Sequence, residues 1–141
     1  MSTRPVALVT GARRGMGRAI AHQLARRGYD ILCADHSAEG AEATARMVEE
    51  EGGRFALHEC DLSDPGQIGP MVDWAWAEGQ GIEALVNNAG IMSFVRGDPL
   101  DASVESWDKV IAVNSRAPLL VTQAVVKRML AGGAPQRGKR G

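Results

Sequence analysis

The chain has 141 residues, the size of a single folded domain, so a second domain is not expected. Hydrophobic residues make up 45% and charged residues 23%, values typical of soluble globular proteins, which argues against a disordered or fibrous chain. The 16 Lys plus Arg nearly balance the 17 Asp plus Glu, and a formal net charge of -1 provides no overall field to attract nucleic acid or an anionic membrane.

Cysteine content and hydropathy narrow the class further. Cys33 and Cys60 lie inside apolar stretches, without the Cys or His spacing of a metal site, and we expect buried free thiols. No apolar run reaches the roughly 20 residues of a membrane-spanning helix, and residues 1–5 contain no signal-peptide core. These features predict a cytoplasmic protein that binds no metal, membrane or nucleic acid.

The first elements alternate between strand and helix. The apolar run 6–9 is too short for a helix and predicts a strand that is buried on both faces. Apolar residues then recur four positions apart over 15–27, which predicts a helix, and Gly28 stands where a C-terminal cap is expected. A second apolar run, 31–34, predicts a second strand ending at Asp35.

The middle of the chain repeats this alternation. Ser37 offers an N-cap to a helix predicted over about 38–51, which two glycines would end. The segment 55–60 predicts a third, less apolar strand. Asp64 and Pro65 then open another helix as N-cap and first helical residue.

The last elements complete an α/β pattern. A fourth strand is predicted over 84–87, Ser103 caps a helix that runs through Ile111, and another helical run covers 119–130. Four strands that alternate with five helical segments predict a doubly wound, Rossmann-type parallel sheet. We expect the strand order 3-2-1-4, with the sheet truncated to about four strands.

The C-terminal part of the chain predicts a boundary and a contact surface. An incomplete dinucleotide-binding domain would cover 1–131, and the Gly-rich, basic residues 132–141 would be a disordered tail, because they bury too little apolar surface. The helix over 119–126 is apolar on more than one side. The helices of 103–131 therefore predict a surface for association, with a homo-oligomer as the expected state.

The strongest chemical signal is the segment T-G-A-R-R-G-M-G, residues 10–17, between the first strand and the first helix. Glycines there permit close backbone approach, and the helix N-terminus offers N–H groups and a partial positive charge to a pyrophosphate. A glycine-rich turn can also bind nothing. Its place between strand and helix, with Asp35 about 20 residues further on, favours a dinucleotide.

The spacing G-x-x-x-G-x-G after a threonine resembles that of the short-chain dehydrogenase/reductase family. Three further motifs of that family follow in order: Asp61-Leu62 after the third strand, N-N-A-G at 87–90 after the fourth, and Asn114 in the sequence V-N-S. The resemblance covers about residues 5–131, corresponds to the N-terminal portion of the family, and is most similar to its ketoacyl-carrier-protein-reductase-like branch.

The resemblance implies an NAD(P)-dependent oxidoreductase that moves hydride between nicotinamide and a carbonyl or secondary alcohol. It implies that the glycine loop binds the pyrophosphate, that the motif after the third strand flanks adenine, and that the motif after the fourth borders the ribose. It also assigns Asn114 to the active site, where the family's asparagine helps to hold a water of the proton relay. The candidate cofactor-binding residues are Gly11, Arg13, Arg14, Gly15, Met16, Gly17, Asp35, His36, Asp61, Leu62, Asn88, Ala89 and Gly90.

Charges near the second strand bear on the choice of cofactor. The carboxylate of Asp35 can accept hydrogen bonds from both ribose hydroxyls and would repel a 2′-phosphate, which favours NAD. Arg14 argues for NADP, because its guanidinium could pair with a 2′-phosphate, and Arg13 and His36 lie nearby. These cations could also be solvated loop residues, since either arginine can swing into water. NAD is the predicted cofactor and NADP the alternative.

The residues of the family's chemistry are missing from this chain. The family's chemistry resembles general acid catalysis by a tyrosine. A lysine four residues later lowers the pKa of that tyrosine, and a serine orients the carbonyl. The single tyrosine, Tyr29, is followed by Cys33 at that spacing and would lie at the opposite end of the sheet from the glycine loop. We therefore expect no activity from the chain alone, and a carbonyl or alcohol substrate only if a C-terminal half completes it. The alternative is a non-catalytic nucleotide-binding or interaction module.

Overall fold

The computed structural model describes residues 2–93 and 97–133. Its single sheet is parallel and has the order β3-β2-β1-β4. The strands are β1 Val6–Thr10, β2 Asp30–Asp35, β3 Phe55–Glu59 and β4 Ala84–Val86. The helices are α1 Gly15–Arg26, α2 Ala41–Glu50, α3 Pro65–Gly79, α4 Val104–Ile111 and α5 Ala117–Arg128. The predicted α/β class, Rossmann type and strand order are confirmed.

Both faces of the sheet are covered, which explains the continuous apolar runs of the inner strands. Every residue of β1 and β2 is buried, whereas β3 and β4 are mostly half-buried. Because side chains alternate along a strand, Val6 and Leu8 pack with α3 and α5, while Ala7 and Val9 pack with α1 and α2. The helices therefore lie in two layers on opposite sides of one sheet.

The strand register brings three carboxyl ends to one edge of the sheet. Val9 of β1 pairs with Cys33 of β2 and with Val86 of β4, and the backbone N–H of Gly11 extends the ladder to the Ala34 carbonyl at 2.8 Å. The first and fourth strands are neighbours whose following helices go to opposite faces of the sheet. Ligands of open α/β sheets bind in the crevice at such a switch point.

The expected start of the second helix is wrong. α2 begins at Ala41 rather than near 38, and its N-cap is Gly40, whose φ of +77° lies in the left-handed region. Ser37 caps no helix, and its hydroxyl instead accepts a hydrogen bond from the N–H of Glu39 inside the loop. The left-handed backbone of Gly40 interrupts the helix there, and the Glu39 carbonyl just before it accepts a hydrogen bond from the side chain of Arg13.

The other predicted caps are confirmed. Asp64 accepts a hydrogen bond from the N–H of Gly66 at 2.9 Å, and Ser103 accepts one from the N–H of Ser106 at 3.1 Å. The sequence predicts two C-terminal helices with a gap between residues 111 and 119. In the structure a π-helical segment, Ala112–Arg116, joins α4 directly to α5. Of the predicted tail, residues 134–141 lie outside the described residues.

The cysteines are buried free thiols, as predicted. Desolvation raises the pKa of Cys33 to about 12 and that of Cys60 to about 11. Both are therefore protonated and poorly nucleophilic at neutral pH. Within 2–93 and 97–133, none of the helices combines the length and the hydrophobicity that crossing a membrane requires.

Candidate functional site

The loop between β1 and α1 is shaped by its glycines. Gly11 has a φ of +73° and Gly15 a φ of +57°. Residues other than glycine rarely adopt these left-handed backbone conformations. α1 begins at Gly15, and its N-cap residue, Arg14, makes no side-chain hydrogen bond to the first turn. The free N–H groups of that turn remain available to an anion.

The loop is fixed to the strand beside it by Thr10 and Asn88. The Asn88 side-chain amide donates to the carbonyls of Thr10, at 3.0 Å, and Gly11, at 3.2 Å. In return the Thr10 hydroxyl accepts hydrogen bonds from the backbone N–H groups of Asn88 and Ala89, each at 3.0 Å. Asn88 therefore shapes the glycine loop as well as bordering the cleft, a role that the sequence analysis did not assign to it.

A cluster of charged side chains stands at the end of β2. Arg13 Nε lies 3.0 Å from Asp35 Oδ1, and His36 Nδ1 lies 3.1 Å from the same oxygen. Arg13 and Asp35 are only 8% and 7% exposed. The expectation that Arg13 could swing into water is wrong, because its guanidinium also donates to the Glu39 carbonyl at 3.1 Å. Arg14, by contrast, is exposed.

The motif after β3 forms the far wall. Ser63 donates from its backbone N–H and its hydroxyl to Asp61 Oδ1, at 2.9 and 2.7 Å. These two hydrogen bonds are the main cause that lowers the pKa of Asp61 below its ordinary value, and the nearby charge of Lys109 adds to the effect. Lys109 reaches across from α4, with Nζ 2.7 Å from the Ser63 hydroxyl and 3.7 Å from Asp61 Oδ2.

These walls enclose a cleft of about 790 Å³ at the carboxyl edge of the sheet. All thirteen candidate cofactor-binding residues line it: Gly11, Arg13, Arg14, Gly15, Met16, Gly17, Asp35, His36, Asp61, Leu62, Asn88, Ala89 and Gly90. Four further lining residues were missed, namely Cys60, Ile91, Lys109 and Val113. Cys60, Ile91 and Val113 adjoin predicted residues in the sequence, whereas Lys109 lies on α4 and carried no such signal.

Asn114 lies in the π-helical segment, and its side chain makes two hydrogen bonds to the backbone of one residue near the cleft. Its Oδ1 accepts from the N–H of Ile91 and its Nδ2 donates to the carbonyl of the same residue, both at 2.8 Å. Its neighbour Val113, rather than Asn114 itself, contributes to the cleft wall. The arrangement fixes Ile91 beside Gly90, and the active-site role of Asn114 stays a prediction.

The tyrosine and two of the histidines lie away from the cleft. Tyr29 precedes β2, at the opposite edge of the sheet from the glycine loop. His22 lies 3.1 Å from Glu51, and His58 stacks on Trp74 with ring centroids 5.0 Å apart. Across the described ranges, no group of three or more His, Cys, Asp or Glu side chains is arranged to hold a metal ion.

Comparison with known proteins adds an independent line of evidence. A family model described as "short chain dehydrogenase" matches residues 5–139. The chain is 40% identical over 128 residues to D-threitol dehydrogenase of Mycolicibacterium smegmatis, an alignment that covers 91% of this chain and 48% of that protein. The chain thus spans about half the length of the curated relatives it matches.

Solved structures agree with the fold. The 3-oxoacyl-[acyl-carrier protein] reductase from Brucella melitensis in complex with NAD aligns with a TM-score of 0.87 and 39% identity, covering 96% of this chain and 53% of that chain. A metagenomic short-chain oxidoreductase in complex with NADP aligns with a TM-score of 0.84 and 35% identity, covering 93% and 60% respectively. Both neighbours carry a nicotinamide dinucleotide, and the two dinucleotides differ.

The packing of the glycine loop yields a prediction. A methyl group at Gly17 would overlap the Gly11 carbonyl oxygen and lie 2.6 Å from Asn88 Nδ2, whereas one at Gly15 would meet nothing within 4 Å. Gly17→Ala should lower the free energy of unfolding by at least about 2 kcal/mol through overpacking. Gly15→Ala should lower it by about 1 kcal/mol, because only the left-handed backbone is penalised. Urea denaturation measures both, and equal losses would show that the loop has room at Gly17.

Proposed function

Because the chain belongs to the short chain dehydrogenase family, we propose that its cleft binds the adenosine diphosphate half of a nicotinamide dinucleotide, with NAD preferred. The observation that carries the proposal is the convergence of the thirteen candidate cofactor-binding residues, from four segments of the chain, on one cleft of about 790 Å³. In a complete enzyme this half would serve hydride transfer between the cofactor and a carbonyl or secondary alcohol.

The residues present fit a dinucleotide chemically. At Gly15 nothing lies within 4 Å of the place a Cβ would take, and the uncapped N–H groups at the start of α1 are suited to a pyrophosphate. Asp35 provides a carboxylate for ribose hydroxyls at the end of β2. Leu62 and Val113 provide apolar surface for an adenine ring, with the ionised Asp61 at its edge. When bound, the nicotinamide would donate or accept the hydride.

The charges around Asp35 support NAD over NADP. A 2′-phosphate at this position would face the carboxylate at close range, and the repulsion is strong because Asp35 is buried. Arg13 offers little compensation, because its positive charge is already paired with Asp35 at 3.0 Å. Arg14 is the exposed cation that could favour NADP, and an exposed ion pair contributes only about 0–1 kcal/mol.

The catalytic step is proposed to need residues that this chain does not contain. Its one tyrosine has Cys33, not lysine, four residues later, and it lies at the wrong edge of the sheet for the cleft. Asn114 is proposed to hold an active-site water, as the resemblance implies, from a side chain already fixed by two bonds to Ile91. The 141 residues alone should therefore bind cofactor without turning over a ketone.

We further propose that a second copy of the chain covers the exposed side of α4 and α5. Val104 and Trp107, 77% and 66% exposed, begin a row of apolar residues spaced three, four or seven apart within the helices, as in a helix-packing seam. A row of this kind can pair with itself about a two-fold axis. The exposed apolar residues of this helical face are Val104, Trp107, Ile111, Leu119, Val126 and Leu130.

Cofactor choice tests the proposed function first. Isothermal titration should show that the chain binds NAD more tightly than NADP. Asp35→Asn should weaken NAD roughly tenfold or more, because a hydrogen bond to a charged group contributes about 1.5–3 kcal/mol, and should narrow or reverse the preference. Glu42→Gln removes the same charge from an exposed position on α2 and should change neither affinity. Preference for NADP in the unaltered chain would contradict the assignment.

A turnover assay tests the proposal that the 141 residues alone do not catalyse hydride transfer. With NADH and a panel of ketones, the 141-residue chain should show no hydride transfer above the buffer rate, followed by absorbance at the nicotinamide wavelength. In the same samples a saturating dinucleotide should raise the melting temperature by a few degrees, since it binds only the folded state. Turnover by the chain alone would show that some other group acts as the acid.

Self-association tests the third. Light scattering after size exclusion should give the mass of a dimer or larger species, and Trp107→Glu should shift it toward the monomer by placing a charge in the seam. Leu100→Glu is the control, because Leu100 is 91% exposed but lies outside both helices. A monomeric mass for the unaltered chain at about 100 μM would contradict the proposal.

A further inference from the structure

Arg13 is held at its side chain by three separate partners. Nε bonds Asp35 Oδ1 at 3.0 Å, one terminal nitrogen donates to the Glu39 carbonyl at 3.1 Å, and the other lies 3.3 Å from His36 Nε2. Arginine is seldom buried unless it is paired, and here the planar guanidinium meets partners on each nitrogen. The side chain cannot leave this position without breaking all three interactions.

The backbone of Arg13 is held as firmly as its side chain. Its carbonyl accepts from a terminal nitrogen of Arg18 at 2.8 Å and lies 3.1 Å from the Thr44 hydroxyl. Thr44 is completely buried, lies 2.9 Å from the Ala12 carbonyl and accepts from Arg18 Nε at 3.0 Å. α1 and α2 thus fix the loop residue on both sides, so the guanidinium is placed before any ligand arrives.

The contacts of the Asp35 carboxylate with Arg13 and His36 fall on one of its two oxygens. Arg13 Nε and His36 Nδ1 both contact Oδ1, at 3.0 and 3.1 Å. We propose that Arg13 is a specificity-determining positioning residue, which holds Oδ1 so that Oδ2 is directed at the adenosine 2′-hydroxyl. The proposal rests on the proposed function and deepens it, because it names how the same site distinguishes a 2′-hydroxyl from its absence or its phosphate ester.

The opposite role for Arg13 makes an opposite prediction. A guanidinium beside the 2′ position could bind a 2′-phosphate directly, and removing it would then weaken only phosphorylated ligands. In the positioning role, removing it releases Asp35 and weakens ligands that carry a free 2′-hydroxyl. The bond from Nε to Asp35 favours the positioning role, because the charge of Arg13 is already paired with that carboxylate and the residue is only 8% exposed.

The experiment compares three nucleotides by isothermal titration. ADP and 2′-deoxy-ADP differ only in the hydroxyl, and adenosine 2′,5′-bisphosphate reports on a 2′-phosphate. The unaltered chain should prefer ADP over 2′-deoxy-ADP on the order of tenfold, the contribution of a hydrogen bond to a carboxylate. Arg13→Ala should reduce that ratio to near one. Arg46→Ala, which removes an exposed arginine from α2, should leave the ratio unchanged.

Arg13→Lys keeps the test decisive if the alanine variant does not fold. Lysine retains the charge and most of the side-chain volume, but one ammonium cannot satisfy Asp35, Glu39 and His36 together, so the ratio should fall at least threefold. A variant that weakens ADP and 2′-deoxy-ADP equally would reduce Arg13 to a role in the fold, and a selective loss of the bisphosphate would make it a phosphate ligand. Either result overturns the proposal.

The same titration separates this inference from the proposed function. If the unaltered chain, shown to be folded by circular dichroism, releases no heat with ADP or with NAD, then the proposed function fails and the inference fails with it. The unaltered chain could instead bind ADP and NAD, while the Arg13 variants show the same ratio of ADP affinity to 2′-deoxy-ADP affinity as the unaltered chain. In that case the proposed function stands and only the inference is overturned.

Discussion

The close approach of the glycine loop to the fourth strand is the constraint on which the site depends. Gly17 lies against the Gly11 carbonyl, and Asn88 donates to that carbonyl and to the one before it. With these carbonyls bound to the protein, the free N–H groups of the loop and of the first turn of α1 are left for an anion. The same contact brings the ends of β1 and β4 together, and this creates the crevice between them.

A second layer of contacts connects this loop to Asp35, the residue proposed to recognise the ribose. Thr44 and Arg18 hold the loop from the side of α2, and Arg13 extends from the loop to Asp35 at the end of β2. The proposed phosphate and sugar sites therefore share one rigid unit. Such preorganisation reduces the loss of conformational entropy on binding, a loss that would otherwise weaken the affinity.

Local patterns predicted the elements of the fold well, because each depends on neighbours in sequence. The apolar runs of β1 and β2 are long enough only for strands, and Asp64 and Ser103 cap their helices through contacts two or three residues away. The start of α2 was missed because the chain takes a left-handed backbone at Gly40, which a serine cap signal at residue 37 does not predict. Burial of Arg13 and the approach of Lys109 were missed because tertiary contacts determine both.

The residues of the sequence motifs line one cleft, whereas lining residues that only tertiary contacts place were not predicted. Lys109 crosses from α4 to the loop after β3, 46 residues from Ser63 in the chain, and no spacing rule connects them. The cleft nevertheless draws every described wall from β1, β2, β3, β4 and the segments that follow them. The proposed site for an adenosine diphosphate is therefore contained in the described part of the chain. The proposed hydride transfer needs the tyrosine and lysine pair that this sequence lacks, so titration and turnover assays would separate cofactor binding from catalysis.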